Sequence, residues 1–412
     1  ISRQTGSKMS GRGIYVNVAG VVSAAGTSIG CVKNYVSSGI LHHGAAKRFE
    51  TSLGLPVAEV SASDAELKSQ LGIASEIVIS RTALLGLCAL SEAVKSVKSG
   101  HLFGGSPRIA FINGTSVGGM DLSEVFWKAH RQYPEDGDPD YLRMHSPGAV
   151  TDAMAAFCRS LLPEFSFVTT ISTACSAAGN AIMYGARLIE AGLADIVIAG
   201  GTDALCSFTL NGFNSLRILD TEICRPFDAS RAGLNLGEGA GYLVLSAVSD
   251  GAMCRLTGWG NANEAYHQTA STPEGTGPGL SMSSAIEKAG LTPSDIGFVN
   301  THGTGTEIND LAESNAMLRV FGGQVPPFSS MKPYFGHTLG ASEGIEAALC
   351  CKALADNDFS FMKSCCEVTP IPETGLVPYY GGEISPRHVL SSAFGFSGNC
   401  VSLVFSTISE DE

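Results

Sequence analysis

The stretch Phe165-Ser-Phe-Val-Thr-Thr-Ile171-Ser-Thr-Ala-Cys175-Ser-Ala-Ala-Gly-Asn180 decides the fold. Its first seven residues are mostly β-branched or aromatic and read as a buried strand. The next segment, Ala181 to Gly192, carries apolar residues at helical spacing. Cys175 therefore stands where a strand turns into a helix. Unpaired backbone N–H groups and the helix dipole favour a thiolate there, which predicts a pKa under ~7.5 against ~8.5 for a free cysteine. A buried cysteine is otherwise a small hydrophobe. Among twelve cysteines, this one is singled out by its context.

At 412 residues with 44% hydrophobic and 16% charged content, the chain can bury a large core. Its 49 glycines suit the tight turns and close backbone approaches of layered α/β folds. A net charge of −13 with no balancing basic stripe excludes nucleic-acid binding. No apolar run reaches the ~18 residues of a membrane span. Residues 1–8, ahead of Met9, have the composition of an expression remnant. The cysteines lack paired CxxC metal spacing, and neighbours such as Cys350-Cys351 and Cys365-Cys366 are poor disulfide frameworks, so reduced thiols in the cytoplasm are expected.

Taken in order, Gly13–Val22 reads as a strand, Gly26–Ser38 as a turn and helix, and residues 40–71 as a surface segment. Ser75–Ser99 has helical periodicity, with Ile77, Leu84, Leu85, Leu87, Leu90 and Val94 on its buried side. Arg108–Asn113 is a strand, Met120–Tyr133 and Met154–Leu162 are helices, Pro134–Tyr141 is a loop, and Ala194–Gly200 is an apolar strand. From Cys254 the pattern recurs. Ile14–Gly20 parallels Ala252–Gly258, Ile109–Asn113 parallels Ile296–Asn300, and the stretch ending Gly179-Asn180 parallels the one ending Gly398-Asn399. Three pairings in one order predict a duplicated unit. The expected halves are 9–250, carrying the nucleophile, and 251–412, carrying two histidines. The site is expected where their strand ends meet.

Three further motifs carry chemistry. Thr301-His302-Gly-Thr-Gly-Thr306 puts an imidazole at a strand end beside small hydroxyl residues. Ser330-Met-Lys332-Pro-Tyr-Phe-Gly-His337 puts a second histidine ahead of a helix, whose dipole would keep it neutral and able to donate to an enolate oxygen. Lys332 and Glu346 are the charged groups that would fix it. Ser391-Ser-Ala-Phe-Gly-Phe-Ser-Gly-Asn399 is a glycine-rich turn able to aim a backbone N–H at a carbonyl. Gly237-Glu-Gly-Ala-Gly241 leads into a strand, so it is not a dinucleotide fingerprint.

Together with Arg225-Pro-Phe-Asp228, these motifs resemble the elongating β-ketoacyl-acyl-carrier-protein synthases, condensing enzymes of the thiolase superfamily, from Gly13 to Phe405. The resemblance implies a duplicated thiolase-like α/β fold in five layers, αβαβα. It implies that Cys175 accepts the acyl chain, that His302 and His337 promote malonyl decarboxylation and hold the enolate, and that Lys332 and Glu346 support them. The oxyanion hole would be the N–H groups of Cys175 and Phe396, in a gate that begins at Gly395. Thr304, Thr306 and Thr269 would bind the phosphopantetheine arm, Val117 and Phe213 would shape the acyl pocket, and Arg217 would dock the carrier protein. No metal and no cofactor of the enzyme's own are implied. The expected partners are acyl carrier protein and a second subunit, either an identical copy or a chain-length-factor-like chain. Two departures stand out: the family's Gly-Phe-Gly-Gly-Thr-Asn gate is Gly395-Phe-Ser-Gly-Asn-Cys400 here, and its His-Gly-Thr-Ser-Thr-Pro turn is His302-Gly-Thr-Gly-Thr-Glu307.

The expected reaction is a decarboxylating Claisen condensation. A thiolase would need a base, for which Cys400 is the candidate, but two histidines favour decarboxylation. A non-catalytic partner subunit would lack the nucleophile that this chain has.

Overall fold

The computed structural model describes residues 12–41, 43–96, 102, 105–159 and 162–409. The expected remnant at residues 1–8 lies outside them. The first half contains β1 (Tyr15–Ser23), α1 (Ile29–Ser38), α2 (Asp64–Leu71), α3 (Arg81–Lys95), β2 (Ile109–Gly114), α4 (Met120–Gln132), α5 (Pro139–Arg143) and α6 (Pro147–Cys158). It continues through β3 (Phe165–Ile171), α7 (Ala177–Glu190), β4 (Ile196–Asp203), α8 (Ser207–Ser215) and β5 (Gly239–Ser246). The second half contains β6 (Cys254–Asn263), α9 (Thr276–Lys288), β7 (Phe298–Asn300), α10 (Glu307–Val320), β8 (Phe328–Ser329), α11 (Lys332–Phe335), α12 (Ser342–Asp356), β9 (His388–Phe394) and β10 (Asn399–Ser406).

The strand order is β3-β2-β4-β5-β1-β6-β10-β9-β7-β8, a palindrome about the seam between β1 and β6. At that seam two residue pairs meet, Tyr15 with Arg255 and Val16 with Cys254. In each half the outer strands are parallel and the inner ones antiparallel. Helices α7 and α12 pack on each other and against strands of both halves. Helices α3 and α6 cover the outer face of the first half-sheet, and α9 and α10 lie outside the second. The result is five layers, αβαβα.

The middle layer explains the all-round apolar character of its helices, whose buried residues include Ala177 to Ile182 and Ser342 to Cys351. Close approach there excludes side chains. A Cβ on Gly241 would sit 2.3 Å from the Gly344 carbonyl carbon, and one on Gly344 would sit 2.4 Å from the Gly241 oxygen.

Several sequence expectations change. β3 is half-exposed because it ends the strand order, and Phe167 points outward. The helix expected from Ser75 begins at Arg81, where the Ser80 hydroxyl accepts the Ala83 N–H, which leaves Ile77 exposed ahead of it. Within the expected surface segment, Ser63 and Glu66 form a capping box that opens α2. The third internal parallel does not hold. Gly179-Asn180 lies inside α7, whereas Gly398 ends the turn between β9 and β10 and Asn399 opens β10, and the strand order pairs α7 with α12.

One buried ion pair fastens the first half together. The Glu238 carboxylate accepts from Arg81 Nη2 at 2.7 Å and Nε at 2.9 Å, and from the backbone N–H groups of Val60 at 2.9 Å and Leu205 at 3.2 Å. Removing Glu238 leaves the buried Arg81 guanidinium with only the half-exposed Asp64 carboxylate as an ion-pair partner, at Nη1, and breaking a buried pair costs about 3–5 kcal/mol. Glu238→Ala should therefore lower stability by that amount in reversible denaturant unfolding. A loss below ~1 kcal/mol would show that Asp64 alone satisfies Arg81.

Candidate active site

The carboxyl ends of β2, β3, β7 and β8 converge on one buried cluster. After β3 the chain makes a sharp turn with Ala174 at φ 53°, in the left-handed region, and this presents Cys175 just ahead of α7. After β8 it passes through α11 and reaches His337 ahead of α12. The two residues hold corresponding places in the mirrored strand order, and they touch: His337 Nε2 lies 3.1 Å from Cys175 Sγ. His337 Nδ1 accepts the Leu339 N–H at 3.2 Å and lies 2.9 Å from the Ser342 hydroxyl. These bonds leave Nε2 to face sulfur.

His302 follows β7, and its ring meets that of His337 edge-on at 5.4 Å between centroids. Both imidazoles are held well below the usual histidine range, first by burial and then by the nearby Lys332 cation. Both are neutral, as the sequence predicts for His337. The main cause is desolvation, whereas the sequence pointed to a helix dipole. His302 Nδ1 is buried and has no protein partner among the described residues.

Lys332 Nζ bonds Glu346 Oε1 at 2.8 Å, with both side chains buried. The Lys332–Glu346 pair expected from the sequence is thus formed. The His302 turn is itself pinned from α10. Glu313 accepts the N–H groups of His302 and Gly303 at 2.8 Å each, and Asp310 accepts those of Thr304 at 3.0 Å and Gly305 at 3.2 Å. Burial pushes the Glu313 carboxyl up to about 8. Sequence reasoning missed both acids. Their signal was the spacing of three on a helix that directly follows the histidine turn. It also missed Asp203, at the end of β4, which accepts from Thr115, Ser116, Val117 and Gly340 and so joins the two halves beneath the site.

The gate turn folds against the nucleophile turn. A Cβ on Gly395 would sit 2.5 Å from the Thr173 carbonyl oxygen, so that contact demands glycine. Phe396 directs its backbone N–H at Cys175, and its ring stacks on Phe213 at 5.5 Å. Phe213 and Val117 pack in one apolar cluster with Leu205, Leu210 and Leu339. Thr304 and Thr306 share a 2.9 Å hydroxyl contact. Thr269 bonds His267, beside the Gln268 carbonyl that accepts the Ser397 N–H, so it stands next to the gate. Ser397, where the family carries glycine, has φ 67°. Arg217 is exposed just beyond α8, four residues after Phe213 and away from the cluster.

The thiol departs from expectation. Burial pushes Cys175 up to about 12, and Lys332 with the N–H groups of Phe396 and Cys175 only partly offsets it. The helix terminus does not overcome desolvation in so enclosed a site. Cys175 is therefore a thiol that must give up its proton as it reacts. Because its pKa lies above the assay range, the thiolate fraction should rise about tenfold per pH unit. Iodoacetamide labelling of Cys175, followed by peptide mass spectrometry, should accelerate from pH 7 to 9 without levelling. A plateau below pH 8 would indicate a preformed thiolate–imidazolium pair.

Residues 38–251 match the model of the β-ketoacyl synthase N-terminal domain, and residues 253–360 match that of the C-terminal domain. The chain is 34% identical over 339 residues to 3-oxoacyl-[acyl-carrier-protein] synthase 2 of Staphylococcus aureus, spanning 77% of this chain and 82% of that one. Among solved structures it superposes on the ishigamide ketosynthase/chain length factor with a TM-score of 0.87 at 26% identity, covering 97% of this chain and 100% of that one. A ketosynthase in complex with its chain length factor from Xenorhabdus doucetiae gives 0.82 at 29%, covering 96% and 98%. With a buried cysteine, two neutral histidines and a lysine–glutamate pair at the strand ends of a mirrored five-layer fold, the chain belongs to the β-ketoacyl synthase family.

Proposed function

We propose that this protein is an acyltransferase that condenses an acyl group held on Cys175 with a malonyl unit carried by acyl carrier protein, releasing CO₂. The observation that carries this reading is the 3.1 Å contact between His337 Nε2 and Cys175 Sγ, with His302 against the same imidazole. In the first half-reaction Sγ attacks the acyl thioester, and the thiol proton goes to the departing pantetheine sulfur. The N–H groups of Cys175 and Phe396 stabilise the oxyanion, and the pantetheine thiolate leaves with a proton. In the second, the malonyl carboxylate departs as CO₂ and its electron pair forms an enolate. Neutral His302 and His337 donate hydrogen bonds to that enolate. Its carbon attacks the acyl carbon, and Sγ leaves as a thiolate that takes up a proton from solvent to restore the thiol. Lys332 and Glu346 hold the histidine pair in place. No carboxylate base is required, because decarboxylation supplies the carbanion.

The substrates arrive on phosphopantetheine, whose arm Thr304, Thr306 and Thr269 would bind; the 2.9 Å contact between the Thr304 and Thr306 hydroxyls supports a shared polar site. The nucleophile belongs to the half 9–250 and both histidines to the half 251–412. A second subunit is expected along β3, the half-exposed end of the sheet. It would be an identical copy or a chain-length-factor-like chain, the latter supported by the similar complexes of a ketosynthase with its chain length factor. No helix among the described residues is long and apolar enough to cross a membrane. The cysteines stand as free thiols, consistent with a reducing cytoplasm.

Cys175→Ala should abolish acyl loading, read as a mass increment on the intact protein, while thermal unfolding stays cooperative. Cys175→Gln should keep or enhance CO₂ release from malonyl carrier protein. Acyl loading in the alanine variant would overturn the role of Cys175, and absence of CO₂ in the glutamine variant would overturn the histidine roles.

Docking poses an electrostatic problem, because a chain at −13 must bind an acidic carrier. Local charge governs such encounters more than net charge does. Arg217 is exposed, one helical turn beyond the Phe213 that stacks on the gate. Arg217→Glu should raise KM several-fold for carrier-bound substrate and less for free pantetheine thioesters. The difference should shrink with salt, since the Debye length is about 8 Å at 0.15 M. Equal losses on both substrates would point to a pocket defect.

A further inference from the structure

The two proposed oxyanion donors come from opposite halves of the molecule. The Cys175 N–H belongs to the turn before α7, and the Phe396 N–H to the turn before β10. A hole of this kind works only if its donors hold their spacing to a few tenths of an ångström. Something must tie the two turns together. Gly395 against Thr173 is a steric contact and sets only how close they can come.

The tie visible in the structure is a side-chain amide. Asn399 opens β10, three residues after Phe396. Its Oδ1 accepts from the Ser176 hydroxyl at 2.8 Å, from Asn180 Nδ2 at 2.7 Å and, more distantly, from Asn261 Nδ2 at 3.3 Å. Ser176 is the residue next to Cys175, and Asn180 lies one turn into α7. The same Asn180 amide donates to Thr173 Oγ1 at 2.9 Å, and its oxygen accepts from Asn261 Nδ2 at 2.8 Å. The Asn399 backbone oxygen accepts the Gly395 N–H at 2.7 Å, closing the gate turn on itself. A single carboxamide thus binds both sides of the cleft. Position 399 is one of the places where this chain departs from the family's gate, which has threonine there.

We propose that Asn399 is a positioning residue that clasps the gate turn to the nucleophile turn and sets the separation of the two oxyanion donors. The inference rests on the ketosynthase reading above. The clasp acts on the steps in which a tetrahedral oxyanion forms at the acyl carbonyl. It has little leverage on malonyl decarboxylation, which depends on the histidines held from α10, α11 and α12.

The experiment compares both half-reactions in purified full-length protein. Asn399→Leu removes the acceptor at similar size. Acyl transfer from acyl carrier protein to Cys175 should lose tenfold or more in kcat, with KM within about twofold. CO₂ release in the Cys175→Gln background should change less than threefold when Asn399→Leu is added. Asn399→Asp, which keeps an acceptor oxygen, should recover acyl transfer to within about threefold of wild type. If Asn399→Leu fails to fold, Asn180→Leu breaks the clasp from the α7 side and is read by the same criteria. Equal losses in both half-reactions, or undiminished acyl transfer, would overturn the clasp. A wild-type protein that does not load acyl groups at all would overturn the functional reading, and the clasp with it.

Discussion

A sulfur and an imidazole nitrogen 3.1 Å apart, contributed by residues 162 positions apart in sequence, are the constraint on which the molecule turns. For them to meet, two helices must begin at the same level in a layer with sheet on both sides. That layer admits few side chains between backbone and backbone, and so glycine stands at 241 and 344. The mirrored sheets supply the matching strand ends. Asp203 binds the two halves from below, and the gate turn closes them from above. Little of this architecture can shift without opening the sulfur–nitrogen gap.

The same enclosure governs the electrostatics. Removing water raises the thiol, neutralises both histidines and pushes up the carboxyls of Glu313, Glu343 and Glu346. Lys332 is the buried cation facing them, and it bonds directly to Glu346. Low dielectric thus keeps the site nearly neutral, and neutral imidazoles donate hydrogen bonds without holding a bound product by charge.

Much of this was legible in the sequence, and the exceptions share a cause. The glycine and histidine motifs mark strand ends and turns, which local chemistry dictates, so Cys175, His302, Lys332, His337 and Glu346 could be picked out and do come together. The exposure of β3 could not be read, because an edge strand and a central strand carry the same residues and differ only in what lies beside them. The thiol pKa was misjudged because a helix terminus is a local feature, whereas desolvation depends on every element packed around Cys175. The false parallel at Gly398-Asn399 arose from matching two residues that meet in space: Asn180 and Asn399 are bonded across the cleft, not related by duplication. Asp310 and Glu313 escaped notice because their signal, a spacing of three on α10, is shared by ordinary solvated acids and only burial sets them apart.

The pairing of β1 with β5 has a consequence for biosynthesis. Tyr15 finds Ser246 and Ser23 finds Gly239, so the first strand must wait until more than two hundred further residues have left the ribosome. Once β5 emerges, the first half-sheet can close. Its helix α7 then still presents an apolar face made for α12, nearly a hundred residues later in the chain. At ~5–20 residues per second that face is uncovered for several seconds. The surface that later excludes water from Cys175 is, during synthesis, the one most in need of a chaperone.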